Sequence, residues 1–493
     1  MADPKHNKAR LSTPGLDRAL TPANAAPNAA ASEAQPKNSE TRNFQTVQPL
    51  IGESSSIGSA GSAIQCYLAC AVVLIFCSRF FDVFLSGYKI PAITLGASAL
   101  VSLLSRHVWQ SLQYRVSRLF VLLTGVMLAS TVFSIWRSGS LNVVIGWGRS
   151  LLVYFSIITL IQNWEQCWKL LRIMAWSIGV LSVLSNIYGT RESGRLLLTE
   201  GKLVNPNDLA QALLLGLPFL LMLFSRSGTL ARIASLVLMG ILGLTVLRTG
   251  SRGAMVSAAI SLLVLVATST SRVKMVTAVV LTTVLAWGVL ALSPALRVRY
   301  MTFFDSTVED RSDQTAQMSQ IAADSAVDRG ELLIESLKFT LLNPLLGLGP
   351  GMFCEARERD AAEHGKHVPF LLTHNTYTEV SSECGIPALV IFVTIVVSIF
   401  RTASKVHRLS RSEPDLKAIA AAALALKYSV LAYATTSFFS SIAYQAVLPT
   451  LAGSVVALEH SVSGRLAGLL LPSGLPPKSA SESLPGGPRT DCR

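Results

Sequence analysis

Charge is what this sequence has least of. Asp, Glu, Lys and Arg together make up only 14% of 493 residues, while 51% are hydrophobic. A soluble chain of this length would divide into several domains with a far higher charged fraction. Paired metal and redox motifs are also missing. The seven cysteines form no C-x-x-C pair, and Cys66, Cys70 and Cys77 all fall in the first apolar run, which argues against a zinc module or a disulfide framework. Cys354 and Cys384 could meet outside a membrane, but two unrelated buried thiols are the simpler reading. There is no H-E-x-x-H, no clustered Asp pair and no Walker-type G-x-x-x-x-G-K-[ST], so neither a bound metal nor ATP hydrolysis is expected. No cofactor is called for.

What the sequence does have is apolar runs of about 18–23 residues, each long enough to cross a bilayer as a helix. The expected class is an all-α polytopic membrane protein with about twelve spans. These fall at roughly 64–86, 91–105, 118–137, 141–161, 167–188, 208–225, 230–247, 253–271, 273–293, 372–400, 416–438 and 443–463. Residues 1–62 and 465–493 are rich in Ala, Pro, Ser and Gly without apolar period, and are expected to be disordered tails on the cytoplasmic side. The first is not a signal peptide, since no apolar core follows a short basic start. The organisation is therefore tail 1–62, nine spans within 63–293, a large loop 294–371 between spans nine and ten, three spans within 372–464, and tail 465–493.

The formal net charge of +13 does not mark a nucleic-acid binder, because the basic residues are dealt out to short loops. With the amino terminus inside, the cytoplasmic links carry Arg106, Arg115, Arg118, Lys169, Arg172, Arg226, Arg232, Arg272 and Lys274. Five more, from Arg401 to Lys417, follow the tenth span. The opposite links are poorer in Lys and Arg, as the positive-inside rule requires. That orientation sends the large loop, Arg191, Arg195, Arg248, Arg252 and His374 to one and the same face.

Within the large loop, Asp328–Leu342 has apolar residues at helical spacing and reads as an amphipathic helix. Asn343-Pro344 ends it, because a proline disfavours helix at the residue before it. The turn Leu345-Leu346-Gly347-Leu348-Gly349-Pro350-Gly351 follows, its glycines permitting unusual backbone or close approach of a ligand.

The candidate chemistry gathers at that face. Ionisable groups at the mouth of a span are costly unless they pair or work. His374 can accept a proton from a hydroxyl near neutral pH. Glu379 and Glu383 could orient the imidazole only if the chain is irregular near 374–377. The plain alternative is a capping histidine with interface glutamates. Arg252, in T-G-S-R-G-A at the start of the eighth span, offers a fork of donors beside a helix N-terminus, suited to phosphate oxygens; the alternative is an arginine snorkelling to the interface. Arg191 and Arg195 add positive charge to a face that otherwise avoids it, and Asn205-Pro206-Asn207-Asp208 reads as a turn and cap for the sixth span.

Four blocks of this sequence resemble the O-antigen ligase and polymerase superfamily, bacterial membrane glycosyltransferases of the GT-C type. They are Gly201–Ala210, Thr249–Ala254, Arg329 through Gly351, and His374-Asn375 with Gly385. The ligase pattern H-[NSQ]-x9-G-x-x-G is kept at His374, Asn375 and Gly385, but Ala388 stands at its last glycine. The resemblance implies periplasmic transfer of a glycan from undecaprenyl diphosphate to an acceptor hydroxyl, of lipid A-core or a similar lipid or glycan, without a metal. It would occur at the inner membrane. Arg252, with Arg195 or Arg191, would hold the diphosphate, and His374 would act on the acceptor. The candidate catalytic residues are thus His374, Arg252 and Glu383. The candidate substrate-binding residues are Arg195, Arg191, Arg329, Asn375, Glu379, Gly349 and Gly351. Chain polymerisation or transfer to protein would use similar residues. A flippase or transporter would predict internal repeats and polar groups near the bilayer midplane, and neither is seen.

Overall fold

The computed structural model describes residues 59–78, 88–105, 107–192, 194–198, 205–268 and 329–470. The expected ninth span and most of both expected tails lie outside the described residues; the described ends of those tails, 59–62 and 465–470, are helical rather than disordered. What is described is an all-α polytopic membrane protein. In chain order it contains α1 (Ser59–Ser78), α2 (Ile90–Leu104), the short α3 (His107–Ser111), α4 (Arg115–Val132), α5 (Arg137–Leu160) and α6 (Trp164–Tyr188). A two-stranded antiparallel hairpin follows, β1 (Thr190–Glu192) and β2 (Arg195–Leu197), with Arg191 opposite Leu196. Next come α7 (Pro206–Arg226), α8 (Thr229–Arg248) and α9 (Arg252–Thr268). Beyond the undescribed segment, helical residues 329–342 form α10, followed by α11 (Phe353–Glu363), α12 (Thr376–Ser410), α13 (Lys417–Thr436) and α14 (Val447–Leu470).

Seven described helices are long and apolar enough to cross a membrane, and shorter apolar stretches lie at Ser62–Ser78, Ile90–Leu104 and Arg252–Val264. Their ends follow local chemistry. The Asn163 side chain accepts from Gln166 N and opens α6. Asn205 does the same for Asn207 N, with Pro206 in the first turn of α7, where a missing N–H costs nothing. Asn375 accepts from both Tyr377 N and Thr378 N to start α12.

The polarity is arranged as lipid demands. Trp147, Tyr154, Phe120, Phe219, Phe392 and Tyr433 fill the interior. Small hydroxyl and amide pairs join helices there: Ser156 to Ser98, Thr159 to Ser102, and Gln211 to Thr436. Such interhelical bonds contribute roughly 0.6 kcal/mol each in membranes. Large apolar residues face outward, including Leu230, Ile233, Leu236 and Val237 on α8.

One expected span is not a simple rod. The run expected at 372–400 is a helix from Thr376 to Ser410 that breaks at Gly385 (φ 84°, ψ 171°). Pro387 supplies no N–H, and the freed Ile386 N–H donates to Pro344 O at 2.8 Å. The segment after the break is roughly 37 Å long at 1.5 Å per residue, enough to span on its own. The amphipathic helix expected at 328–342 is present, and Asn343-Pro344 ends it.

Candidate active site

The chain from Ser437 to Ala443, between α13 and α14, is the strap around which the candidate residues collect. Thr376 N–H donates to Ser437 O (2.8 Å), Thr376 Oγ1 donates to Ser440 O (2.6 Å), and Thr373 and Ser441 share a hydroxyl bond (2.9 Å). On its other side, Asp208 of α7 bonds the Ser440 side chain. The start of α9 rests against Phe439, where a Cβ at Gly253 would come within 2.5 Å of that ring's Cβ. The mouth of α12, the N-terminal turn of α7 and the N-terminus of α9 therefore meet over one short segment. His374 and Arg252 each stand beside residues that rest on this segment, Thr373 and Thr376 for the one and Gly253 for the other.

His374 is half-buried and adopts φ 51°, a left-handed conformation uncommon outside glycine that gathers at functional sites. It does not cap the helix, because Asn375 does. The alternative of a capping histidine is thereby removed.

The arginines divide into two kinds. Arg195 Nε donates to Thr249 O (2.9 Å) and its Nη2 donates to Asn207 Oδ1 (2.8 Å), tying the hairpin to the turn before α9 and to the start of α7. Arg248 donates to Asn186 Oδ1 at 2.8 Å. Arg252, the first residue of α9, is half-buried. Arg329, the first described residue of α10, is held below the usual guanidinium range by burial and then by the like charge of Arg252. The large loop thus returns a second guanidinium to the neighbourhood of the first. Arg191 stands exposed on β1.

The glutamates and glycines form a different unit. Glu383 is buried, and its carboxylate accepts from Gly351 N–H (2.7 Å), Phe353 N–H (3.3 Å) and the Tyr444 hydroxyl (2.9 Å). Glu379, also buried, accepts from Ala443 N–H at 3.1 Å. The backbone joins in: Leu348 N–H donates to Ser382 O, Gly349 N–H to Glu383 O, and Ser130 Oγ to both Leu346 O and Glu383 O. Gly347 and Gly385 make the crossing possible. Both have positive φ, and a Cβ on either would collide with the other segment's backbone, Glu383–Cys384 in one case and Leu345–Leu346 in the other. The glycine turn is therefore stitched to the first nine residues of α12. The two carboxylates, which could orient the imidazole only if the chain were irregular near 374–377, are occupied with backbone N–H groups and a phenol.

Cys354 and Cys384 are both free. Cys354 Sγ–H donates to Leu371 O, and Cys384 lies beside the Tyr444 hydroxyl. Tyr444, Asp208 and the strap were not singled out by sequence reasoning. The one signal was a serine-rich link without a basic residue between the last two spans.

The segment 237–393 matches the family described as O-antigen ligase. This match supports a likeness to the O-antigen ligase and polymerase superfamily. The matched segment holds Arg252, Arg329, the glycine turn and His374 through Gly385, and it leaves Arg191 and Arg195 outside. No curated protein matches the sequence. The departure at Ala388 costs no special backbone. Gly385 is required by its φ and by the crossing, whereas Ala388 sits fully buried in the helix beyond the kink without a positive φ.

Proposed function

We propose that the protein is a glycosyltransferase that moves a glycan from undecaprenyl diphosphate to an acceptor hydroxyl on the periplasmic face of the inner membrane. What supports this reading is that the start of α9, where Arg252 stands, and the mouth of α12, beside His374, both rest on the strap 437–443. Arg329 is near enough to Arg252 for their like charges to act on each other. Two fixed guanidinium groups can neutralise the charge that develops on a departing diphosphate, the part a divalent ion plays elsewhere. Arg252 also stands at a helix N-terminus, whose backbone N–H groups and dipole favour an anion.

In this reading the donor's diphosphate lies against Arg252 and Arg329, and the sugar's anomeric carbon faces the acceptor hydroxyl. His374 takes the hydroxyl proton as the new C–O bond forms and the bond to the diphosphate oxygen breaks, with inversion. Arg195 acts by holding Thr249 and Asn207, and so the turn that delivers Arg252. Asn375 acts as the helix cap that fixes the backbone beside His374. Glu383 and Glu379 act as positioning residues, holding Gly349, Gly351 and the strap in place.

The test is incubation of the purified protein with lipid-linked glycan and candidate acceptors. Capping of lipid A-core marks a ligase, and polymer growth without added acceptor marks a polymerase. Absence of any transfer with every acceptor overturns the proposal.

A further inference from the structure

The surface of α10 is divided into three lengthwise stripes: one packs into the protein, one is charged and pairs at its edge with α11, and the third is apolar and exposed. Leu332, Ser336, Phe339 and Thr340 are buried, and Thr340 Oγ1 bonds Ser381 Oγ of α12 at 2.8 Å. On one flank of that stripe, Leu333, Ile334, Leu337 and Leu341 are exposed, Ile334 by 68% and Leu341 by 76%. On the opposite flank stand Glu331, Glu335 and Lys338. Lys338 Nζ meets Asp360 of α11 at 2.9 Å, and Glu335 is paired with Arg357 of α11. In water this order is unfavourable, because hydroxyls are buried while four large aliphatic side chains are left out. An apolar flank opposite a charged one is the pattern of a helix lying in a membrane interface.

The surroundings say what covers the apolar flank. Immediately beyond α10, Leu345 is 71% exposed, and Pro344 O accepts from Ile386 N–H. Ile386 begins the outward-facing row Ile386, Val390, Val393, Val397 of the membrane-crossing part of α12. The exposed flank of α10 is thus continuous with a face that lipid already covers. At the same level, Ile135 N–H donates to Leu348 O, and the neighbouring Phe133 and Trp136 are exposed. Aromatic side chains of this kind mark the boundary between headgroups and acyl chains.

We infer that α10 lies in the bilayer surface, with the Leu333–Leu341 flank among the acyl chains of the leaflet next to the site and the Glu331–Lys338 flank in water. The bilayer itself is the partner. Arg329, at the head of this helix, is then fixed at headgroup depth beside Arg252. The depth of the helix stands independently of the proposed reaction; only the use of Arg329 on a lipid diphosphate rests on that reading.

The test uses full-length protein in phosphatidylethanolamine–phosphatidylglycerol vesicles, with bimane attached at Ile334→Cys, Leu337→Cys or Lys338→Cys. Doxyl groups near the top of the acyl chains should quench the first two at least about threefold more than the third, and aqueous iodide should show the reverse order. Equal doxyl quenching at all three sites overturns the inference. So does shielding of Ile334→Cys from both quenchers, which would mean that protein covers the flank. If the labelled variants do not fold, p-benzoylphenylalanine at Ile334 in native membranes decides the matter. A phospholipid photoadduct supports the inference, and a protein adduct or none overturns it.

Discussion

Gly385 and Leu345 meet backbone to backbone. The carbonyl of Leu345 fills the space that a Cβ on Gly385 would need, and two residues along the turn Gly347 meets the backbone of Glu383 in the same way. This double crossing fixes the depth at which the large loop enters the bundle and the point at which α12 breaks. Replacing Gly385 by Ala imposes both a positive φ on a side-chain residue, at roughly 1–2 kcal/mol, and a backbone collision. The expected result is a fall of several degrees in the thermal midpoint in detergent. Ala388→Gly, in regular helix three residues on, should cost only about 1 kcal/mol from propensity.

Glu383 accepts from three donors: Gly351 N–H, Phe353 N–H and the Tyr444 hydroxyl. Glu383→Ala takes the acceptor from the Gly351 and Phe353 N–H groups, at about 1–3 kcal/mol for each such group, while the Tyr444 hydroxyl keeps the Cys384 thiol beside it. Tyr444→Phe removes one bond and should cost about 1 kcal/mol. Hydrogen exchange across 347–353 should rise in Glu383→Ala and stay close to wild type in Tyr444→Phe. The double variant should lose less than the sum of the two, because they share one bond.

Cys354 is buried with its thiol pushed up to about 12, chiefly by burial and then by the charge of Glu383. Alkylating reagents at pH 7–8 should leave it unmodified in the folded protein and modify it after unfolding, as read by peptide mass spectrometry. The sign of its linkage follows from a folded value above the ordinary thiol value of 9.0. The stabilisation is fully present below pH 9 and is lost as pH rises toward 12.

Arg195 and Arg252 should behave differently when replaced by Ala. Arg195 carries two hydrogen bonds that join the hairpin, the turn before α9 and the start of α7, so its loss should lower thermal stability as well as transfer. Arg252→Ala should lower the transfer rate by about two to three orders of magnitude in protein that still folds and inserts. Thermal unfolding and single-turnover transfer, measured on the same preparations, separate the two.

Much of this was legible in sequence for physical reasons. Apolar length marked the spans, and some helical ends agree closely, as with 230–247 against Thr229–Arg248. Others run well past the apolar run, as with 372–400 against Thr376–Ser410 and 443–463 against Val447–Leu470. The period of 328–342 and its stop at Asn343-Pro344 gave α10. The partners of polar groups were not legible. Glu379 and Glu383 sit close to His374 in sequence, yet their carboxylates bind Ala443, Tyr444, Gly351 and Phe353 from distant segments. Asp208 looked like part of a cap, but Asn205 makes the cap and Asp208 reaches Ser440. The kink at Gly385 was hidden because an unbroken apolar run carries no sign of a backbone crossing supplied by another loop.

The central claim is that His374 and Arg252 together perform transfer from a lipid diphosphate. Its most direct test is glycan transfer by purified His374→Ala and Arg252→Ala, given lipid-linked glycan and the acceptor used by the wild type. The account predicts folded, membrane-inserted variants whose transfer falls by at least about a hundredfold. Wild-type transfer by both variants would contradict it.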